Sequence, residues 1–123
     1  MSISNYLENE LLDAVFSAGA FSVTTAYISL HTGDPGETGA SEATGGSYAR
    51  QSAAFDAAAS GATANSGTIS FTDMPAATIT HVGVWDAVSA GNFLWGGALT
   101  ASKTTNSGDT FQIPTGDLDV TLD

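Results

Sequence analysis

Between residues 3 and 17 the apolar positions Ile3, Leu7, Leu11 and Val15 recur every fourth residue, and Leu12 and Phe16 join them in one stripe. That period predicts an amphipathic helix over 3–17, with Glu8, Asn9 and Asp13 turned away from the stripe. Ser2 or Ser4 supplies a cap, Glu8 and Glu10 suit the positive end of the helix dipole, and Gly19 marks a stop. One such helix on a chain that is otherwise strand-like has two readings. It covers an open face of its own domain, or it docks on a partner.

Beyond residue 24 the period changes to two. Strand 25–32 places Ala26, Ile28 and Leu30 on one face and Tyr27, Ser29 and His31 on the other. Gly33-Asp34-Pro35-Gly36 breaks it. Residues 33–47 then lack periodicity and apolar bulk, which predicts an extended loop or arm, either mobile or in contact with a neighbouring subunit. Further strands are expected at 48–55 and at 68–72, where Ile69 and Phe71 share a face. Ala57 to Gly67 reads as a small-residue linker. Strand 78–86 carries Ile79, His81, Gly83 and Trp85 on one face and Thr80, Val82 and Val84 on the other, both packable, so it is expected in the middle of a sheet. Gly91-Asn92 turns the chain into 93–99, with Phe93, Trp95 and Leu99 opposed to Leu94 and Ala98. A turn at Asn106–Asp109 follows. At the end Leu118, Val120 and Leu122 alternate with Asp117, Asp119, Thr121 and Asp123. Six to eight short strands with one N-terminal helix predict a mainly β single domain over 1–123, a β-sandwich or small jelly-roll-like barrel, with the main β region at 48–123.

Composition narrows the function classes. With 123 residues the chain is one domain able to bury roughly two thirds of its unfolded surface. Thirteen Asp and Glu face only Arg50 and Lys103, for a net charge of −11. Nucleic acids and anionic membranes are bound through Lys and Arg, so neither is an expected partner. No apolar run approaches a membrane span, and residues 1–20 lack a signal-peptide pattern. Met1 thus reads as the true start of a soluble cytoplasmic product. Cysteine is absent, which excludes disulfides and thiolate metal sites.

No catalytic set emerges. Ser, His and Asp are present without a G-x-S-x-G elbow, and His31 and His81 each sit in a strand. Asp34, Glu37 and Glu42 form an acidic, Gly-rich stretch in which weak Ca²⁺ binding is conceivable, but calcium-loop spacing is absent and a solvated turn is the preferred reading. Gly45-Gly46 and Gly96-Gly97 lack the lysine of a phosphate loop. Neither enzyme activity nor a cofactor is expected. Arg50 is suited to a bidentate pair with a carboxylate, inside the domain or across a subunit contact. The two tryptophans read as core.

Five segments carry a resemblance: SISNYLENELLDAVF at the start, LHTGDPGE at 30–37, GGSYAR at 45–50, THVGVWDAVSAGN at 80–92, and GALTASKTTNSGDTFQIPTGDLDVTLD at the end. Together they resemble a family of small tailed-bacteriophage virion proteins, often labelled tail fibre proteins, along essentially the whole chain. The resemblance implies a structural component of the particle and carries over no catalytic residue. A chain this short has little room for an attachment end, a shaft and a receptor head, and its acidity suits the outside of a DNA-filled shell. The expectation is therefore a capsid decoration, or cement, protein on the capsid exterior, made in the host cytoplasm. Its partners are the major capsid protein and other copies of itself, as a homotrimer. The alternative is a tail fibre or tail-associated protein that recognises the host. Repeated burial at roughly 25 cal/mol per Å² makes small contacts useful, although only the surplus over ordering costs appears as binding. The expected contact residues are Tyr6, Leu7 and Leu11 on the helix, Asp34, Pro35 and Glu37 in the arm, and Arg50.

Overall fold

The computed structural model describes residues 2–122. Along the chain run β1 (Ser2–Ile3), α1 (Asn5–Phe16), β2 (Ala26–His31), β3 (Gln51–Ala53), β4 (Ala62–Ala64), β5 (Ile69–Met74), β6 (Ala77–Trp85), β7 (Phe93–Thr105), β8 (Asp109–Ile113) and β9 (Asp119–Thr121). All strand pairs are antiparallel. One sheet has the order β1-β7-β6-β2-β3, accompanied by the ribbons β5-β8 and β4-β9. Among the described residues no sheet closes on itself, so the fold is sandwich-like and not a barrel.

β6 lies mid-sheet between β7 and β2, where its two packable faces are both used. Register sets Leu30 beside Val82 and Ile28 beside Val84, and Val84 beside Trp95. These side chains share one face. With Ile69, Phe71 and Met74 of β5, Phe111 and Ile113 of β8, and Leu118, they form one buried cluster. Phe71 meets Phe111 edge to face, with ring centroids 6.3 Å apart. Each such side chain removed from water stabilises the fold by roughly 1.5–3 kcal/mol.

Two register shifts between β6 and β7 decide which residues share a face. At the first, Val84 pairs with Trp95 while Trp85 pairs with Phe93, leaving Leu94 as an extra residue. Trp95 therefore faces the core and Phe93 the opposite side, which corrects the expected grouping of the two. At the second, Ile79 pairs with Lys103 but His81 with Ala98, so residues 99–102 bulge from β7. Strict alternation is lost in β6 at the same point, so Ile79 joins Val82 and Val84 in the core instead of lining up with His81 and Trp85. A bulge inserts residues into one strand and shifts its alternation; simple period-two reading cannot detect this.

The helix begins where Ser4 caps it. Ser4 Oγ accepts from the Leu7 N–H at 3.2 Å and donates to the Phe93 carbonyl at 2.6 Å. Its own N–H donates to the Leu94 carbonyl at 2.8 Å. The helix closes at Ser17, with Ala18 rather than Gly19 in the left-handed region at φ 55°. Gly19 serves a different need, since a Cβ there would lie 3.2 Å from the Asp13 carbonyl. Three other expectations change. Strand 48–55 shrinks to Gln51–Ala53. Leu122 is exposed rather than inward. The 57–67 linker contains β4, which pairs with β9. The expectations for Met1 and Asp123 lie outside the described residues.

Asn65, fully buried after β4, holds the C-terminal segment. Its side-chain amide donates to the carbonyls of Gly67 at 2.7 Å and Pro114 at 3.0 Å, and its Oδ1 accepts from the Leu118 N–H at 2.9 Å. The backbone carbonyl of Asn65 also accepts from the Gly116 N–H at 2.9 Å. Replacing Asn65 by Ala leaves a buried Leu118 N–H without its acceptor. The expected loss is about 2 kcal/mol, read as a lower urea midpoint with an unchanged slope.

Candidate functional site

The side of the five-stranded sheet away from the main core carries Ser29, His31, Gly83, Trp85, Phe93 and Gly96. Residues 33–43 fold back over it. Gly83 permits this layer, because a Cβ there would sit 2.6 Å from the Phe93 ring, 2.7 Å from Ser29 Oγ and 2.8 Å from His31 Nε2. Gly39, in the left-handed region at φ +76°, presses against Trp85, whose ring occupies the space a Cβ would need. Trp85 and Phe93 meet edge to face at 5.1 Å.

A buried polar chain runs through this layer. Trp85 Nε1–H donates to Ser29 Oγ at 2.8 Å. Ser29 Oγ and His31 Nε2 lie 2.6 Å apart, and His31 Nδ1 lies 2.7 Å from the Ala40 carbonyl. A carbonyl only accepts, so Nδ1 carries the proton and Nε2 accepts from the Ser29 hydroxyl. Burial pushes His31 below its usual value of 6.5, opposed by the Ala40 carbonyl and by Glu42. The Ser–His contact has the spacing of a nucleophile and base. Both residues are 0% exposed, however, and the serine is already bound by Trp85. The pair fastens the 33–43 loop to β2.

Arg50 fastens the same loop from the other end. Nε donates to Glu42 Oε2 at 3.0 Å and Nη2 to Oε1 at 2.9 Å, the bidentate pair expected from the sequence, here inside the domain. Nη1 donates to the carbonyls of Ala87 at 3.0 Å and Ala90 at 2.8 Å. The guanidinium also lies over the Trp85 ring, 3.6 Å from its centroid, a favoured cation–π position. Tyr48 extends the network. Its hydroxyl donates to Glu42 Oε2 at 2.9 Å and accepts from the Leu30 N–H at 2.9 Å. Burial and the neighbouring Glu42 carboxylate raise its pKa well above the usual phenol value.

Residues 33–47 are therefore a packed loop and not an extended arm. Ala43 is buried and donates its N–H to the Leu30 carbonyl at 2.8 Å. Asp34 Oδ1 accepts from the Gly36 N–H at 2.9 Å, and Glu37 Oε2 from the Asn5 N–H at 2.7 Å. Asp34, Glu37 and Glu42 thus serve three separate partners. Asp34, Pro35 and Glu37 line a shallow cavity of about 200 Å³ with His81 and Gly96, and Glu37 joins this loop to the start of α1. Arg50 lies apart, on Trp85.

On α1 the predicted contact residues divide: Leu7 and Leu11 turn toward the domain, whereas Tyr6 stays exposed. Leu7 packs on the core cluster, Leu11 is half-buried, and Tyr6 meets Phe21 edge to face at 6.3 Å. The most exposed apolar residues of the helix are Leu12 at 55%, Val15 at 71% and Phe16 at 79% exposure. They lie three and four positions apart and so share a helix face. Sequence reasoning placed these residues in the stripe without separating them from its buried side. Glu42 as the partner of Arg50, and the clamp at Asn65, carried no local signal.

Sandwich-like packing, a polar interior used to fasten loops and an apolar helix face left in solvent define a small β-rich structural module. A family model described as the podophage GP4 fiber I protein gp80 matches residues 2–121. The chain belongs to this family and is a structural protein of a tailed-phage virion. No curated protein matches it.

Two measurements test the loop fastening. Arg50→Met keeps length over Trp85 but strands Glu42, and is expected to cost about 3 kcal/mol; Arg50→Lys restores charge without the fork and recovers less than half of that in chemical denaturation. For His31 the folded value lies below the unfolded one. Its contribution is complete above pH 6.5 and is lost as pH falls through the folded value, because the unfolded chain binds a proton that the folded chain resists. Urea midpoints from pH 7 to 5 should therefore fall more steeply for the wild type than for His31→Gln.

Proposed function

We propose that the chain is a short fibre subunit at the virion surface, working mechanically as a rigid module and catalysing no reaction. The observation that carries this reading is how the side chains are allotted. The Ser29–His31 pair and the Arg50–Glu42 pair are spent inside the fold, whereas Leu12, Val15 and Phe16 are kept in water on one helix face. Large apolar side chains grouped on a surface mark a contact site. The description of the family as a fiber protein supports the fibre over other positions on the particle. The net charge of −11 supports contact with proteins rather than with packaged nucleic acid or an anionic membrane.

Capsid decoration is the second reading, favoured by the folded-back 33–47 loop. Among the described residues nothing projects as a shaft, and a compact acidic module suits a position outside the shell. In that reading the partners are the major capsid protein and further copies, as homotrimers. Quantitative mass spectrometry of purified virions, with gold-labelled antibody to locate the chain, separates the two. The fibre reading expects a few tens of copies or fewer, at the tail or its junction with the head. Hundreds of copies spread over the shell would replace it with decoration, and absence from purified virions would remove both.

A further inference from the structure

We infer that the outward face of α1 docks into an apolar groove rimmed by Lys and Arg on a different virion protein, and not onto a second copy of this chain. The inference rests on the reading of the chain as a virion component. Leu12, Val15 and Phe16 supply the apolar centre. The surroundings are one-signed: Glu8 lies one turn before Leu12, Asp13 flanks the patch, and α1 contains no Lys or Arg. The last turn of the helix also lacks a basic residue, so its negative end has no cation from its own helix. Elsewhere Arg50 is already held by Glu42 and Trp85, and Lys103 lies in β7. A partner completing this surface brings apolar side chains for the centre and cations for the rim, the usual division of an interface.

A second copy is the poorer match. A two-fold contact sets the same patch against itself, bringing Glu8 and Asp13 of both copies together between two bodies of net charge −11. Like-charge apposition of this kind disfavours a partner. A basic-rimmed groove meets both the carboxylates and the helix end.

The test compares virions assembled with wild-type chain, with Val15→Ser and Phe16→Ser together, and with Glu8→Lys and Asp13→Lys together, counting copies per particle. All four positions are solvent-facing, so thermal melting of the purified variants should stay close to wild type. The apolar pair is expected to lower occupancy about tenfold, equivalent to a tenfold weaker contact. The charge pair should lower it as well, although it leaves the apolar centre intact. Wild-type occupancy for the Val15/Phe16 variant would overturn the docking face while leaving the chain a virion protein. Normal occupancy for the charge variant would overturn the basic rim. A wild-type dimer in sedimentation that Phe16→Ser dissolves would make a second copy the occupant. Wild-type chain missing from virions would overturn the virion reading, and this inference with it.

Discussion

The second layer of this fold depends on one largely buried cation. Arg50 lies flat on Trp85 and fills its fork with Glu42, while its remaining amino group holds the turn after β6 through Ala87 and Ala90. Three chain segments remote in sequence are tied at one point: the 33–47 loop, the start of β3 and the 86–91 turn. Lysine presents a point charge and cannot span these partners at once, whereas the planar guanidinium can stack and donate sideways together. The burial of a cation in so acidic a chain also has an electrostatic logic. Its desolvation is offset by a paired carboxylate, two carbonyls and an aromatic face, so every guanidinium nitrogen has a partner.

That point of attachment lets a small domain cover both faces of its main sheet. The ribbons β5-β8 and β4-β9 lie against one face, and a loop of small residues lies against the other. Glycine makes the second covering thin enough. Gly83 and Gly96 leave room for the Phe93 ring directly over the strands, and Gly39 lets the loop backbone touch Trp85. The buried polar atoms introduced by this arrangement are matched in turn. Ser29, His31 and Asn65 all find partners, and among the described residues no buried side-chain nitrogen or oxygen lacks one. Satisfied polar groups confer rigidity where an apolar core alone would be too small to specify one loop position.

Much of this plan was legible in the sequence, and the failures share a cause. The α1 stripe, the alternation in β2, the paired Ile69 and Phe71, and the central place of β6 all follow from local period. Local period fails where a register shift resets the alternation, as at Leu94 and at residues 99–102, because the extra residues resemble ordinary strand residues. It fails again at Asn65 and at the 33–47 loop, whose order comes from partners far along the chain. Arg50 was an intermediate case. The scarcity of cations suggested a carboxylate pair, but nothing in YARQ identified Glu42, eight residues earlier, or Trp85 beneath it. On α1 the stripe revealed apolar character but not its division into a packed side at Leu7 and a solvent side at Phe16, since that division is set by where the sheet edge lies.

The solvent side of α1 and the acidity of the chain are best understood together. Three large apolar side chains held in water would ordinarily invite copies of the protein to associate. A net charge of −11 opposes such contact at long range. It does so without removing the patch, because repulsion between whole molecules acts before the short-range contact forms. The same charge attracts a surface of opposite sign. The anchoring of α1 fits this division of labour: Ser4 and Glu37 hold its first turn, Leu7 packs on the core, and its second half remains largely exposed. The helix therefore needs no partner to stay folded, and its outer face is available from the moment the domain forms. Charge selects which surfaces approach, and the apolar face rewards only those that fit.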